Sequence, residues 1–522
     1  MRTFVLTFIA LLLAANSALA QTLTTLVPGS AFHGVHGIRL APNGELYAGS
    51  VLGQTLYAVN VATGAVRVVE GPPKGMADDI AFGPNGEVVW TAIQTGIVYI
   101  RRGDGPAEVL VKDMPGANSL VWTRDGRHLY LGQVFAGDGV WELDPAGLKP
   151  PRKIAGPVGG FNSFTVGPDG ALYGPLWFKG QIARIDPDTG ALRVIAEGLQ
   201  TPAAAKFSAK GELYAIDTKV GILYHIDIAT GAKTQVVQLK TALDNMEFGN
   251  GDQLFVSNMA DNGIQEVNVK TGAVRQVVKP GLSNPFDLAV STVGGRDTLF
   301  VADGFAYRSI DGSTGKVTDI ARAYSDELNN PNAVGMAGDR VLLVGAGRIE
   351  TRDRVTGRRV AVSEPFRAPT DVVGLPGGDM IVSQANGDII RVSGETRTVL
   401  ASGLKMPASI ALGPRADLYV AERDGGRIAR IDLKSGAVTE AVGNLTTPRA
   451  VAVARNGRIV VLDAGARQVV EIDPATNART ILAKDLPLGY LPGAPYGGIA
   501  IGGKGDVYLS ADRDNAIYKI SR

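Results

Sequence analysis

Short runs of alternating apolar and polar positions fill almost the whole chain, and clusters of Gly, Pro, Asn and Asp separate them. Alternation with a period of two puts successive side chains on opposite faces, so the runs predict strands. They group into a unit of about forty residues that recurs twelve times, starting near 38, 80, 120, 164, 205, 246, 288, 334, 372, 410, 451 and 499. The first half of a unit reads apolar-x-apolar, turn, apolar-aromatic, as in IRLAPNGELYAGS (38–50) and IALGPRADLYVAE (410–422). The second half is a hairpin on a Thr-Gly or Ser-Gly turn, as in ARIDPDTGALRVI (183–195). Each unit therefore predicts four short strands.

A single four-stranded sheet cannot bury both faces, so the units must stack, and four strands per forty residues is the spacing of a β-propeller blade. The expected fold is all-β, with twelve four-stranded blades. Rings of four to eight blades are the usual closed forms, which favours two tandem six-bladed propellers. The ends of the chain suggest how the rings close. TLTTLVPG (22–29) reads as an outer strand without its blade, and IYKISR (517–522) ends a unit that lacks an outer strand. In this reading residues 22–28 pair with 262–269 to close blade six, and residues 273–279 pair with 514–521 to close blade twelve. The expected domains are a signal peptide (1–20), propeller 1 (21–270) and propeller 2 (271–522).

The signal peptide is read from Arg2, the short apolar run Phe4–Leu13 and the small-x-small site Ala18-Leu19-Ala20. It predicts export to a periplasm or beyond, with no membrane attachment after cleavage. Composition narrows the chemistry further. The chain has no cysteine, which excludes disulfides, thiol catalysis and thiolate metal sites. Its 52 basic and 51 acidic residues balance, and no basic run appears, which speaks against a nucleic-acid partner. A small-molecule substrate is the expected partner, and a protein partner stays open.

The combination of P-x-x-I-A-V, the G-P-x-G-x-L-Y turn and the I-D-x-x-T-G hairpin resembles the SMP-30/gluconolactonase superfamily, the NHL repeats and the virginiamycin B lyases. The resemblance covers the mature chain and implies propeller blades with a site at the mouth of the channel. It implies one of three activities: a calcium-dependent lactonase or esterase, an eliminating lyase, or a non-catalytic binding platform.

In such blades the two residues before the innermost strand point at the axis. In the first six blades these are His36-Gly37, Asp78-Asp79, Asn118-Ser119, Asn162-Ser163, Ala203-Ala204 and Asp244-Asn245. Asp78, Asn118, Asn162 and Asp244 form an oxygen-rich set of the kind a hard cation accepts, so Ca2+ or another divalent ion is the expected cofactor. The alternative is that these residues cap strand ends and bind channel water. Asn118 and Asn162 match the family's metal site. His36 stands where its Glu is expected and Ala203 where its Asp is expected. His36 is the candidate general base, with Asp79 beside it as the second catalytic residue; the alternative is a turn histidine. The lyases also carry a His before Gly-Ile with a Glu at the end of the next strand, but here that position is Ser50.

The second ring offers Phe286, Asp287, Thr370, Asp371, Ala408, Arg449 and Gly497 at its axis, a sparser set that predicts no cation. Acids that recur at one blade position, such as Asp217, Asp303, Glu422, Asp463 and Asp512, predict a structural task. The leading expectation is a lactone or ester hydrolase with its site in propeller 1.

Overall fold

The computed structural model describes residues 21–491 and 493–522. The expected signal peptide (1–20) lies outside the described residues. The rest forms twelve four-stranded antiparallel sheets, eleven of which follow the chain from the innermost strand outward. Blade one is Val35–Leu40, Leu46–Ser50, Thr55–Val59 and Val66–Glu70. In it Leu46, Ala48, Tyr57 and Val59 face the neighbouring blade, while Glu45 and Arg67 pair at the surface.

Apolar clusters lie between blades and fix the ring order. Ile38, Leu46 and Tyr57 of blade one pack on Phe255 and Ile264 of blade six, which closes the first ring. Leu288, Leu299 and Ile310 of blade seven pack on Tyr508 and Ile517 of blade twelve, which closes the second. The protein is two tandem six-bladed β-propellers.

The strand exchange differs from the expectation. Thr22–Val27 pairs antiparallel with Ala516–Ser521 and completes blade twelve. Val274–Val278 pairs with Gly263–Asn268 and completes blade six. The boundary expected at 270 therefore falls inside the last hairpin of blade six. The local hairpin wins because its two strands are joined by a short turn, so its closure costs little chain entropy. Asn268 fixes that turn by accepting the N–H groups of Lys270 and Thr271.

The chain consequently crosses between the rings twice, at about residues 28–34 and again at 279–286. Two asparagines at equivalent blade positions hold the first crossing. Asn262 of blade six and Asn515 of blade twelve both donate to the Phe32 carbonyl, at 2.7 and 2.6 Å.

The recurring acids at the ends of second strands do the same task in each blade. Asp217 accepts the N–H groups of Gln200 and Thr201, Asp303 those of Ser283 and Asn284, Asp463 those of Thr446 and Thr447, and Asp512 those of Gly489 and Tyr490. Each carboxylate clamps the linker that enters the innermost strand of its own blade, and so fixes where the axial residues begin.

The rings meet through the ends at which their innermost strands start. Arg322 of blade seven pairs with Asp261 of blade six at 2.8 Å and donates to the Thr241 carbonyl at 2.9 Å. Ala242, Met259 and Ala260 pack on Phe305, Ala306 and Ala323. His33 stacks on Tyr490 with ring centroids 3.8 Å apart.

Candidate functional site

The first ring's channel is closed halfway by charge. Arg39 donates to the carbonyls of Ile80 (2.9 Å) and Leu120 (3.1 Å) and pairs with Glu247 at 3.4 Å. Lys206 donates to the Phe164 carbonyl at 3.1 Å, and burial pushes its ammonium down to about 8. None of these three charges was singled out from the sequence, because they lie two or more residues past the turn that marked the axial pairs. They floor the mouth that faces the second ring.

Above this floor the fold gathers Asp78, Asn118 and Asp244. Asn118 donates its amide to the Asp78 carboxyl. Asp78 is raised well above the carboxylate range by burial, then by the charges of Asp244 and Asp79. Asp244 is pushed up to about 7, by burial first and Asp79 second. Both acids are half-buried. Gly37 makes the close approach of blades one and two possible. Its N–H donates to the Asp78 carbonyl at 2.8 Å, and a Cβ there would run into that oxygen.

The other expected residues are held differently. Asn162 turns its amide oxygen to the N–H of Ser163 at 2.8 Å. Of the four expected cation donors, Asp78, Asp244 and the Asn118 oxygen remain, and the Asn162 oxygen is engaged by backbone. Among the described residues, no three His, Cys, Asp or Glu side chains cluster as metal ligands. Asp79 accepts the N–H groups of Ile80 (2.9 Å) and Leu120 (3.1 Å), with Arg39 at 3.8 Å. Its carboxylate thereby ties blade two to blade three. His36 is buried, with Nδ1 bonded to the Gly34 carbonyl at 3.1 Å, which leaves the lone pair on Nε2. Burial lowers it to about 4, so it is neutral at physiological pH, and its ring lies edge-on to Phe305 of the second ring.

A residue that the sequence did not point to lies near the acids. Tyr324 sits in the linker after blade seven, close enough for the charges of Asp244 and Asp78 to act on it. Burial and Asp244 raise its phenol to about 12, so it keeps its proton. It meets Trp177 edge-to-face at 5.4 Å.

The second ring's mouth is nearly filled. Arg449 pairs with Asp512 at 2.8 Å and donates to the Leu491 carbonyl at 2.7 Å; Phe286 packs on Tyr496 at 4.8 Å. The space left among them that admits a water-sized sphere is about 20 Å³, room for about one water. Asp287 and Asp371 accept the N–H groups of Val334 and Ile410 on the next blades. They do for this ring what Asp79 does for the first.

Fold and site together define a tandem β-propeller whose first ring carries a pair of raised acids on its axis, within reach of a tyrosine of the second. A family model described as PQQ_2, outer membrane protein assembly factor BamB, matches residues 179–401. That match runs from the fourth blade to the end of the ninth, so it follows the repeat and not either ring. No curated protein matches the chain. Among solved structures, a catalytically inactive virginiamycin B lyase from Staphylococcus aureus with quinupristin is 16% identical, at a TM-score of 0.40, over 54% of this chain and 96% of its own. A streptogramin B lyase is 17% identical (TM-score 0.27; 61% of this chain, 93% of its own). A nidogen/laminin complex is 16% identical (TM-score 0.34; 44% of this chain, 92% of its own). The chain resembles β-propellers of the virginiamycin B lyase and NHL type, and at these identities the likeness is one of fold.

Proposed function

We propose that the space between the rings, on the axis of the first, is a hydrolytic site for an ester or lactone. One observation carries this reading: Asp78 and Asp244 are neighbouring acids on the axis of the first ring, with burial raising the Asp78 carboxyl well above the carboxylate range and that of Asp244 to about 7. Of two neighbouring acids whose carboxyls are both raised, one keeping its proton and one ionised supply an acid and a base side by side. The ionised carboxylate takes a proton from a water as its oxygen adds to the substrate carbonyl carbon. The protonated partner hydrogen-bonds the carbonyl oxygen, and then gives its proton to the departing alkoxide as the C–O bond breaks. Tyr324 keeps its proton and offers a second donor to the developing oxyanion.

Were a divalent cation bound, Asp78, Asp244 and the Asn118 oxygen would hold it, and it would polarise the substrate carbonyl. His36 is left as a neutral base against Phe305. The reading includes export, which rests on the sequence pattern of residues 1–20 alone.

A second reading is a non-catalytic platform. The filled mouth of the second ring favours it for that ring, and the matching family is described as an assembly factor. The lyase reading lacks its acid, since Ser50 is buried and donates to the His33 carbonyl at 2.5 Å. A panel of lactones and esters, assayed with and without chelator on the wild type and Asp244→Asn, tests the hydrolytic reading. Turnover that is lost in the variant supports it. No turnover across the panel moves the assignment to the platform, and chelator sensitivity assigns a metal.

A further inference from the structure

The first ring carries its own axial plug, and the second ring does not. Arg39, Lys206 and Glu247 stand on the innermost strands of blades one, five and six, three residues past His36, Ala203 and Asp244. The same positions of blades seven, eleven and twelve hold Ala289, Ala452 and Ala500. Three long charged side chains are thus replaced by methyl groups, and a hollow of about 280 Å³ is left along the innermost strands of all six blades. It extends from Asp287 and Asp371 to Val290, Leu412, Val453 and Ile501, which are half-buried. The mouth toward the first ring is nearly filled, so a guest enters from this opposite end.

What the plug does in the first ring shows what the second ring lacks. Asp79 accepts the N–H groups of Ile80 and Leu120, and Arg39 donates to the carbonyls of those same two residues. The N–H and C=O of one strand residue lie on the same edge, so an inward N–H brings its carbonyl inward with it. The second ring repeats half of this arrangement. Asp371 accepts the N–H groups of Val372 at 2.7 Å and Ile410 at 2.8 Å, and Asp287 that of Val334 at 2.9 Å. The carbonyls of Val334, Val372 and Ile410 therefore face the channel as well. Among the described residues that line the hollow, Ser409 alone has a side-chain N–H or O–H, and it bonds to Asp371; none is basic. Burial raises Asp371 to about 7; burial and the charge of Asp371 raise Asp287 well above the carboxylate range. Acids and inward carbonyls are in place, and the charged donor that serves them in the first ring is missing.

We propose that the channel of the second ring binds a small alkylguanidinium, which takes the place that Arg39 fills in the first. Its flat head donates to the inward carbonyls and offsets the charge of Asp287 and Asp371, as Arg39 does for Asp79 at 3.8 Å. Its apolar stem lies along Val290, Leu412 and Val453. The occupant is a small molecule because about 280 Å³ lies near the lower end of the range for small-ligand sites. The proposal concerns binding in the second ring and does not depend on the hydrolytic reading of the first.

Titration calorimetry at pH 8 tests it with n-butylguanidinium and with n-butylurea, a probe of the same shape without the charge. The wild type is expected to bind the guanidinium with a Kd of about 1 mM or tighter, and the urea about tenfold more weakly or less. Ala289→Arg supplies the plug from blade seven, where it would reach blades eight and nine as Arg39 reaches blades two and three, and is expected to abolish binding. Asp371→Asn is expected to weaken it about tenfold. Circular dichroism checks that both variants fold, and if Ala289→Arg does not, Asp371→Asn decides. No binding of the guanidinium to the wild type, equal affinity for the urea, or an affinity unchanged in the folded variants overturns the proposal.

Discussion

Tyr324 of the second ring stands edge-on to Trp177 of the first, with centroids 5.4 Å apart and planes at 87°. The contact joins a linker of blade seven to a loop of blade four and brings the phenol within reach of the charges of Asp244 and Asp78. The proposed site therefore draws on both rings. Separating the rings should remove the phenol without disturbing the floor made by Arg39, Glu247 and Lys206.

Arg322 is one of two buried arginines of blade seven that bond across the rings; Arg308, which donates to the Ala260 carbonyl, is the other. Arg322 pairs with Asp261 and Asp319 and also donates to the Thr241 carbonyl and the Asn258 side chain. Arg322→Ala leaves Asp261 buried without that partner, which costs about 3–5 kcal/mol. Calorimetry should show the unfolding transition shift down and split into two, one for each ring.

The terminal strand belongs to blade twelve. Removing residues 21–27 bares the edge of Ala516–Ser521 and should loosen the second ring first. Limited proteolysis read by mass spectrometry is expected to cut between about 500 and 522 in the truncated protein, while blade six stays protected. Cleavage at 262–269 instead would contradict the observed pairing.

The repeated carboxylate clamp has a measurable weight. Asp463→Ala unpairs the N–H groups of Thr446 and Thr447 and should cost about 1–3 kcal/mol in urea unfolding. Asp186, which accepts N–H groups in an exposed turn, should cost less when replaced by Ala, since water takes over those bonds.

The blades and their hairpins were legible because they rest on a local pattern that twelve copies repeat, and the clamp acids because they recur at one position in five of those copies. The closure was not. NGIQEVN (262–268) and NAIYKIS (515–521) read nearly alike, so an unattached outer strand fits either edge by pattern. What decides is that the hairpin after Asn268 is complete within blade six. Asp78, Asn118 and Asp244 were legible as axial residues because they follow the linker turn. Tyr324 was not, since it sits in a linker without period and acts on the other ring.

Stability should carry the mark of Asp244. Burial pushes its carboxyl up to about 7 in the folded protein, against an ordinary value of 3.8. Between those values the folded state holds more protons than the unfolded chain, so this group's contribution falls as pH rises through that window and levels off above it. His36, lowered to about 4 from 6.5, acts in the opposite sense and takes stability away as pH falls through that range. Asp244→Asn isolates the first effect. Its urea midpoint should exceed the wild type's at pH 8 and approach it near pH 4. An equal difference at both values would mean that the carboxyl is not raised.

The most direct measurement is the pH–rate profile of lactone hydrolysis in the wild type and in Asp244→Asn. The acid pair predicts a wild-type profile with an ionisation near pH 7, and a variant slowed about 100-fold or more that has lost that ionisation. A variant that keeps the wild-type rate and profile would place the chemistry elsewhere in the molecule.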